Sequence, residues 1–142
     1  MGIAMKKTAI TLFLPGLLMC LLLCGCKVVN MKSEEKQPLE YTVVKQEDIP
    51  PAIGSLIESK KQEEFQITYQ DGEYLYLLRG YGRQKTGGYS IQVEELSMFA
   101  ESILFRTSLT GPDKEEEPSL EPSYPYIVVK LEYREAPVQF EG

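Results

Sequence analysis

From Phe65 onward, apolar and polar residues alternate with a period of two, which is the spacing of a β-strand with one buried face. The pattern predicts about five strands, over residues 65–70, 73–79, 89–94, 102–109 and 126–133. Asp71-Gly72 joins the first two and is a dipeptide typical of tight hairpin turns. The strand over 73–79 is apolar on both faces, which predicts an interior position in its sheet. The second half of the chain is therefore constrained to a β-rich domain whose sequence neighbours pair mostly antiparallel.

One helix is expected before these strands. Asp48 is a suitable N-cap, and the two prolines that follow Ile49 are tolerated in a first helical turn. Apolar residues then recur at helical spacing, which predicts a helix over about 49–62. Residues 41–45 are β-branched and suit a short first strand. We predict an α+β fold leaning mainly β, with this helix packed on an antiparallel sheet or small sandwich of about five strands.

The beginning of the chain has the features of an export signal. Lys6 and Lys7 precede an apolar run over 8–23, which is shorter than the roughly 20 residues of a transmembrane helix. The run ends in Leu-Cys-Gly-Cys, which resembles the lipobox of bacterial lipoproteins. The resemblance implies cleavage after Gly25 and attachment of acyl chains to Cys26. An ordinary secreted protein or an uncleaved anchor is the alternative.

These features predict four segments along the chain. They are a lipoprotein signal peptide (1–25), the lipidated cysteine with a flexible tether (26–40), a β domain (41–137) and a tail (138–142). The three cysteines all lie at or before the predicted cleavage site, so the domain has no disulfide. The formal charge of −6 becomes −8 once Lys6 and Lys7 are removed with the signal, which does not suit nucleic acid. We expect an extracytoplasmic protein that is held at the cell membrane by its lipid.

The residue inventory argues against common catalytic machinery. The chain contains no histidine, so it lacks the commonest general base and metal ligand. The glycine-rich stretch around residue 85 is followed by a strand instead of a helix, which does not fit a phosphate-binding loop. No pair of acids is singled out by its spacing, and a serine–lysine arrangement stays open without a motif to support it. We predict no enzymatic activity, no cofactor and no metal site.

The connection between the strands at 73–79 and 89–94 contains the most unusual residues. Arg79, Arg83 and Lys85 place three cations within seven residues, and the aromatic side chains of Tyr81 and Tyr89 flank the turn. Such a segment is either a tight corner with solvated side chains or a binding surface, because arginine and tyrosine are enriched at interface hot spots. Residues 112–123 are acidic and proline-rich, which predicts an exposed loop that serves either as a simple connection or as a docking element.

Two elements of this chain resemble the PrcB C-terminal domain family, which is named after a subunit of a bacterial protease complex. The first is Gly-Arg-Gln-Lys-Thr-Gly-Gly-Tyr-Ser-Ile over 82–91, and the second is Tyr-Pro-Tyr-Ile-Val-Val-Lys over 124–130, similar to the closing (S/T)-x-P-Y element. The resemblance covers roughly residues 53–132. It implies a non-catalytic role in binding and stabilising an exported protease or similar partner.

The resemblance assigns all the candidate site residues except Arg83, which is added as a cation that could contact a partner. The full set is Gly82, Arg83, Lys85, Thr86, Gly87, Gly88, Tyr89, Pro125 and Tyr126. We expect Gly87, Gly88 and Pro125 to set backbone shape, Thr86 to hydrogen-bond within its own turn, and Tyr89 to pack on Tyr126. Three functions follow as hypotheses. The first is a lipid-anchored protein-interaction module, with a protease inhibitor-like domain as its variant, the second is a binder of a small cell-wall glycan or peptide, and the third is a hydrolase without a recognised motif.

Overall fold

The computed structural model of this protein describes residues 35–142. The predicted signal peptide, its cleavage site at Gly25 and the lipid attachment site at Cys26 lie outside the described residues. The strands are β1 (Gln37–Pro38), β2 (Thr42–Val43), β3 (Glu64–Asp71), β4 (Tyr74–Tyr81), β5 (Ser90–Phe99), β6 (Ser102–Thr110), β7 (Tyr126–Glu132) and β8 (Val138–Glu141). The helices are a 3₁₀ helix over Gln46–Asp48 and α1 over Pro51–Lys60. Within this part of the chain, no helix is both long and apolar enough to cross a membrane.

The strands form two four-stranded sheets. The first sheet has the order β1-β5-β6-β8 and the second has the order β2-β7-β4-β3. Neighbouring strands are antiparallel except β6 and β8, which are parallel. The prediction of a mainly β fold with one short helix is confirmed, whereas the described residues contain eight strands instead of about five.

A hydrophobic core lies between the two sheets. Leu77 of β4 and Val129 of β7 in the second sheet pack with Ile103 and Phe105 of β6 in the first, and all four side chains are fully buried. The edge of the Phe105 ring also meets Phe140 of β8, with 5.7 Å between the ring centroids. The two sheets are thus held face to face as a small sandwich by burial of apolar surface.

A second core lies on the opposite face of the second sheet, under α1. Ile53 and Ile57 are one turn apart on the helix and pack on Tyr76 and Leu78 of β4. Alternate residues of β4 therefore enter different cores, because successive side chains of a strand point to opposite faces. This double burial explains why the sequence of β4 is apolar on both faces, and it confirms the predicted interior position. Complete burial of each isoleucine contributes roughly 1.5–3 kcal/mol.

The helix is shorter than the sequence predicted. It begins at Pro51 with Pro50 as its N-cap residue, and no side chain caps it. Asp48 was the expected cap but belongs to the preceding 3₁₀ helix, so that expectation is wrong. The proline pair instead fixes the entry, since proline lacks the N–H that a first helical turn leaves unpaired.

The sheets reach further along the chain than the predicted domain bounds. Gln37 and Pro38 were assigned to the tether but pair with Met98 and Ser97 of β5. Residues 138–141 were assigned to the tail but form β8 beside β6. Pro137 does not close the domain, because its carbonyl oxygen still accepts a hydrogen bond from the Ile103 N–H at 2.8 Å.

Candidate functional site

The first family-like element is the crossover between the two sheets. Residues 82–89 lead from the end of β4 in the second sheet to the start of β5 in the first. Gly82 and Gly88 have positive φ angles of 76° and 85°. At Gly88 a Cβ atom would also lie 2.8 Å from Cβ of Pro112, so glycine is required for conformation and for space. Gly87 does not adopt a positive φ, and its expected role in backbone shape therefore falls to Gly88.

The second family-like element is bonded directly to this crossover. Gln84 and Ser123 form a short antiparallel bridge, with N···O distances of 2.8 and 3.1 Å. The N–H of Tyr81 donates to the Pro125 carbonyl at 3.0 Å, and the Ser123 hydroxyl donates to the Thr86 carbonyl at 2.6 Å. Two elements that are about 40 residues apart thus form one backbone network. Ser123 occupies the Ser/Thr position of the closing element, which is the sequence signal that could have identified this contact.

The predicted turn contact of Thr86 is confirmed. Its hydroxyl donates to the carbonyl oxygen of the neighbouring Gly87 at 3.1 Å. The Gly87 N–H donates in turn to the Ser119 carbonyl at 3.0 Å, which fixes part of the acidic loop against the crossover. Most of residues 112–123 are exposed, as predicted, and Leu120 is 90% exposed. The Leu120 side chain is therefore exposed to solvent, while the backbone on both sides of it, at Ser119 and Ser123, is hydrogen-bonded to the crossover.

Two of the three predicted cations remain on the surface. Arg83 and Lys85 are exposed, and neither side chain forms an ion pair or hydrogen bond with any of residues 35–142. The backbone around Arg83 is nevertheless held, because its N–H donates to the Gln62 carbonyl at 3.2 Å. We call Arg83, Lys85 and Leu120 the docking tip.

Arg79 does not belong to this surface, and its assignment to a basic spot is wrong. Its side chain is only 4% exposed, because it shares a face of the second sheet with Leu77 and Ile127. Its guanidinium donates to the carbonyl oxygens of Gly80 at 2.5 Å and Gly142 at 2.7 Å. The guanidinium carbon also lies 4.0 Å from the centre of the Tyr81 ring. Strand alternation, which places residue 79 on the same side as residue 77, could have indicated this burial.

The tyrosines of the two elements face different layers. The Tyr89 ring packs over Gly111, at 3.4 Å from the position that a Cβ would occupy there. Tyr126 packs instead with the cluster under α1, so the expected Tyr89–Tyr126 contact does not form. Tyr81 spans the sandwich, since its hydroxyl lies 2.5 Å from the Thr107 hydroxyl of the first sheet. These aromatic side chains therefore pack within the domain beside the crossover, and the exposed side chains of this region are those of the docking tip.

One carboxyl group has a clearly shifted pKa. The hydrogen bond donated by Ser97 lowers the pKa of Glu95 below its usual value, and Lys36 and Arg106 act in the same direction. Partial burial opposes them. The Arg106 guanidinium lies 2.7 Å from the Glu95 carboxylate, on the outer face of the first sheet. Within residues 35–142 there is also no cluster of three acidic, histidine or cysteine side chains that could hold a metal ion.

Comparison with known proteins identifies the segment that carries both elements. Residues 75–132 match the family model described as PrcB C-terminal, which spans the chain from β4 to β7. No curated protein and no solved structure matches the chain. The match includes the crossover, the acidic loop and the closing element, and it leaves out α1, where the sequence resemblance had extended to residue 53. Residues 75–132 are therefore the part of the domain that is similar to the PrcB C-terminal family.

Proposed function

We propose that this protein is a non-catalytic, lipid-anchored, extracytoplasmic module that docks another exported protein through its docking tip. The observation that carries the proposal is that the backbone of the crossover is hydrogen-bonded to other segments, while two of its charged side chains are unpaired among the described residues. The crossover is hydrogen-bonded to residues 62, 119, 123 and 125, whereas Arg83 and Lys85 have no partner among the described side chains.

This combination suits binding for two physical reasons. A backbone that is already ordered loses little conformational entropy on association, so more of the contact energy remains as affinity. Arg83 and Lys85 also have no ion-pair partner among residues 35–142, so they can pair with acidic side chains of another protein. Leu120 adds an apolar anchor that is 90% exposed. The expected partner surface is therefore acidic, with an apolar recess.

The resemblance to a protease-complex subunit family favours an exported protease as the partner. In this proposal the module stabilises the protease and does not inhibit it. Adding the purified full-length protein to the captured protease should prolong its activity during incubation at elevated temperature. A fall in the initial rate of proteolysis on addition would instead identify an inhibitor.

The lipid anchor is proposed from the Leu-Cys-Gly-Cys sequence and is tested separately. Cells that express the full chain are fed an alkyne-tagged fatty acid, and the label on the protein is measured. We expect labelling of the natural chain and its loss in Cys26→Ala, whereas Cys20→Ala should keep the label. Equal labelling of both variants would refute lipidation at Cys26.

Docking is tested by capture of the tagged full-length protein from its own membranes. We expect one exported protein to be recovered with the natural chain and at least about tenfold less with Arg83→Glu, as for a buried charged contact. The matched control is Lys45→Glu, which makes the same charge change at an exposed lysine outside the tip. Equal losses in the two variants would show that net charge matters and the tip does not.

A further inference from the structure

A second surface feature lies at the other end of the second sheet, where β4 begins and β7 ends. An open groove is formed there by residues 38–42, Tyr74, residues 130–132 and Arg134. The side chains of α1 pack on residues nearer the crossover, such as Leu78 and Val128, and the groove residues are not among their contacts. This end of the sheet is therefore accessible from solvent, and Tyr74 is 44% exposed.

Two tyrosines present ring surface in this groove. Tyr41 is 40% exposed and lies in the connection between the two sheets, whereas Tyr74 begins β4. They do not stack on each other, since the one aromatic ring pair among residues 35–142 is Phe105 with Phe140. The Lys130 ammonium lies 4.0 Å from the centre of the Tyr74 ring and 5.9 Å from that of Tyr76, which holds the Tyr74 ring in place. One face of the Tyr74 ring is thus occupied by Lys130, and the groove offers the remaining exposed ring surface of Tyr74 and Tyr41.

The charged side chains of the groove are balanced in sign. Glu40 and Glu132 are matched by Lys130 and Arg134, so the four formal charges cancel. None of the four forms an ion pair or a side-chain hydrogen bond with any described residue. Their donors and acceptors are therefore available to a ligand, and they impose no net field that would select an anionic or a cationic one.

We infer that this groove is a binding site for a neutral oligosaccharide. The C–H bonds of a pyranose ring carry a slight positive charge and stack on the negative face of an aromatic ring, here Tyr41 or Tyr74. The hydroxyl groups of a sugar both donate and accept, so they match a groove that contains carboxylates beside a guanidinium and an ammonium. A few polar groups that converge on aromatic surface are typical of small-ligand sites. This inference does not depend on the docking proposal, because the groove and the docking tip lie at opposite ends of β4.

Binding is tested with the full-length protein in a zwitterionic detergent, since detergents with sugar headgroups would compete. The probes are the tetramer of N-acetylglucosamine, cellotetraose and maltotetraose, titrated by calorimetry. We expect saturable binding of at least one of them, weakened about tenfold in Tyr74→Ala and little changed in Tyr74→Phe, which keeps the ring. Tyr133→Ala is the matched control, because Tyr133 is 38% exposed but does not line the groove.

Circular dichroism of each variant shows whether it is folded, and Tyr41→Ala replaces Tyr74→Ala if the latter is not. Polyglutamate and polylysine are titrated in parallel as charged polymers. The inference is overturned if none of the three oligosaccharides binds at millimolar concentration. It is equally overturned if the tyrosine variants bind as well as Tyr133→Ala, or if a charged polymer alone binds and loses affinity in those variants.

Discussion

A turn that contains a glycine with positive φ lies at each end of β4, but the two glycines are required for different reasons. At the Asp71-Gly72 end, β3 and β4 pair directly, Gly72 has φ of 61°, and nothing lies within 4 Å of where its Cβ would be. At the crossover end, Gly88 has φ of 85° and is also packed against Pro112. The first glycine is needed only for conformation, whereas the second is needed for conformation and packing.

This difference separates a local hairpin from a tertiary corner. The hairpin depends on residues adjacent in sequence, and its register is set by the eight residue pairs between β3 and β4. The crossover instead depends on segments that lie far apart in the chain, including residues 62, 112, 119 and 123–125. Family-like residues therefore concentrate where non-local contacts must all fit together, and the side chains of Arg83 and Lys85 between them are exposed.

The largest effect is expected from Gly88→Ala. A left-handed conformation is strained for alanine, and the new methyl group would overlap Pro112, so unfolding should become easier by about 3 kcal/mol. Urea denaturation followed by circular dichroism measures this loss. If Gly88→Ala loses no more stability than Gly72→Ala in the hairpin turn, the claim that Gly88 is also required for packing against Pro112 is contradicted.

Gly72→Ala should cost about half as much, because the conformational strain of about 1.5 kcal/mol remains but the added methyl group meets only solvent. The same denaturation experiment gives the comparison directly. If this loss exceeds that of Gly88→Ala, the hairpin is the more constrained of the two turns, and the contrast between them is wrong.

Ser123→Ala probes the link between the two family-like elements. It removes the hydroxyl that donates to the Thr86 carbonyl at 2.6 Å and should cost about 1 kcal/mol. Ser55→Ala on an exposed face of α1 serves as the control, and little change is expected there. Faster amide hydrogen exchange at Gln84 and Gly87 in Ser123→Ala, with unchanged exchange in β3, would localise the effect to the corner. Uniform changes across the domain would argue that the two elements are not a separate unit.

The smallest expected effect is a change of stability with pH, and it involves Glu95, which lies away from both turns. Because Ser97, Lys36 and Arg106 lower the folded-state pKa of Glu95, its stabilisation is fully present above the unfolded pKa of about 4.3. It is lost as the pH falls through the lower folded pKa. The difference in melting temperature between the natural chain and Glu95→Gln should therefore shrink between pH 6 and pH 3. A difference that grows over this interval would contradict the direction of the shift.

The parts of the fold that follow a local pattern were predictable from the sequence. Alternation identified β3, β5, β6 and β7, because each of these strands has a clear buried face, and the apolar sequence on both faces of β4 indicated its central position. The short strand expected over 41–45 is present as β2 (Thr42–Val43), whereas β1 carries no such pattern and exists only through pairing with β5. β8 was missed because Pro137 was taken as an end, although its carbonyl still pairs with β6.

The candidate site was predictable in composition but not in arrangement. The residues of both elements were identified from their resemblance to the family. Their joining through Gln84 and Ser123 could not be read from periodicity, because it depends on how the sheets stack. The burial of Arg79 could have been read from its alternation with Leu77, whereas the exposure of Arg83 depends on the path of the crossover, which has no period.

The central claim is that the crossover is a fixed corner whose exposed cations, and not its packed residues, contact a partner. The most direct measurement is the capture of the exported partner by Arg83→Glu/Lys85→Glu, made together with urea denaturation on the same preparation. We predict that the free energy of unfolding stays within about 0.5 kcal/mol of the natural value. Capture should at the same time fall at least about tenfold. Undiminished capture by this folded variant would contradict the claim.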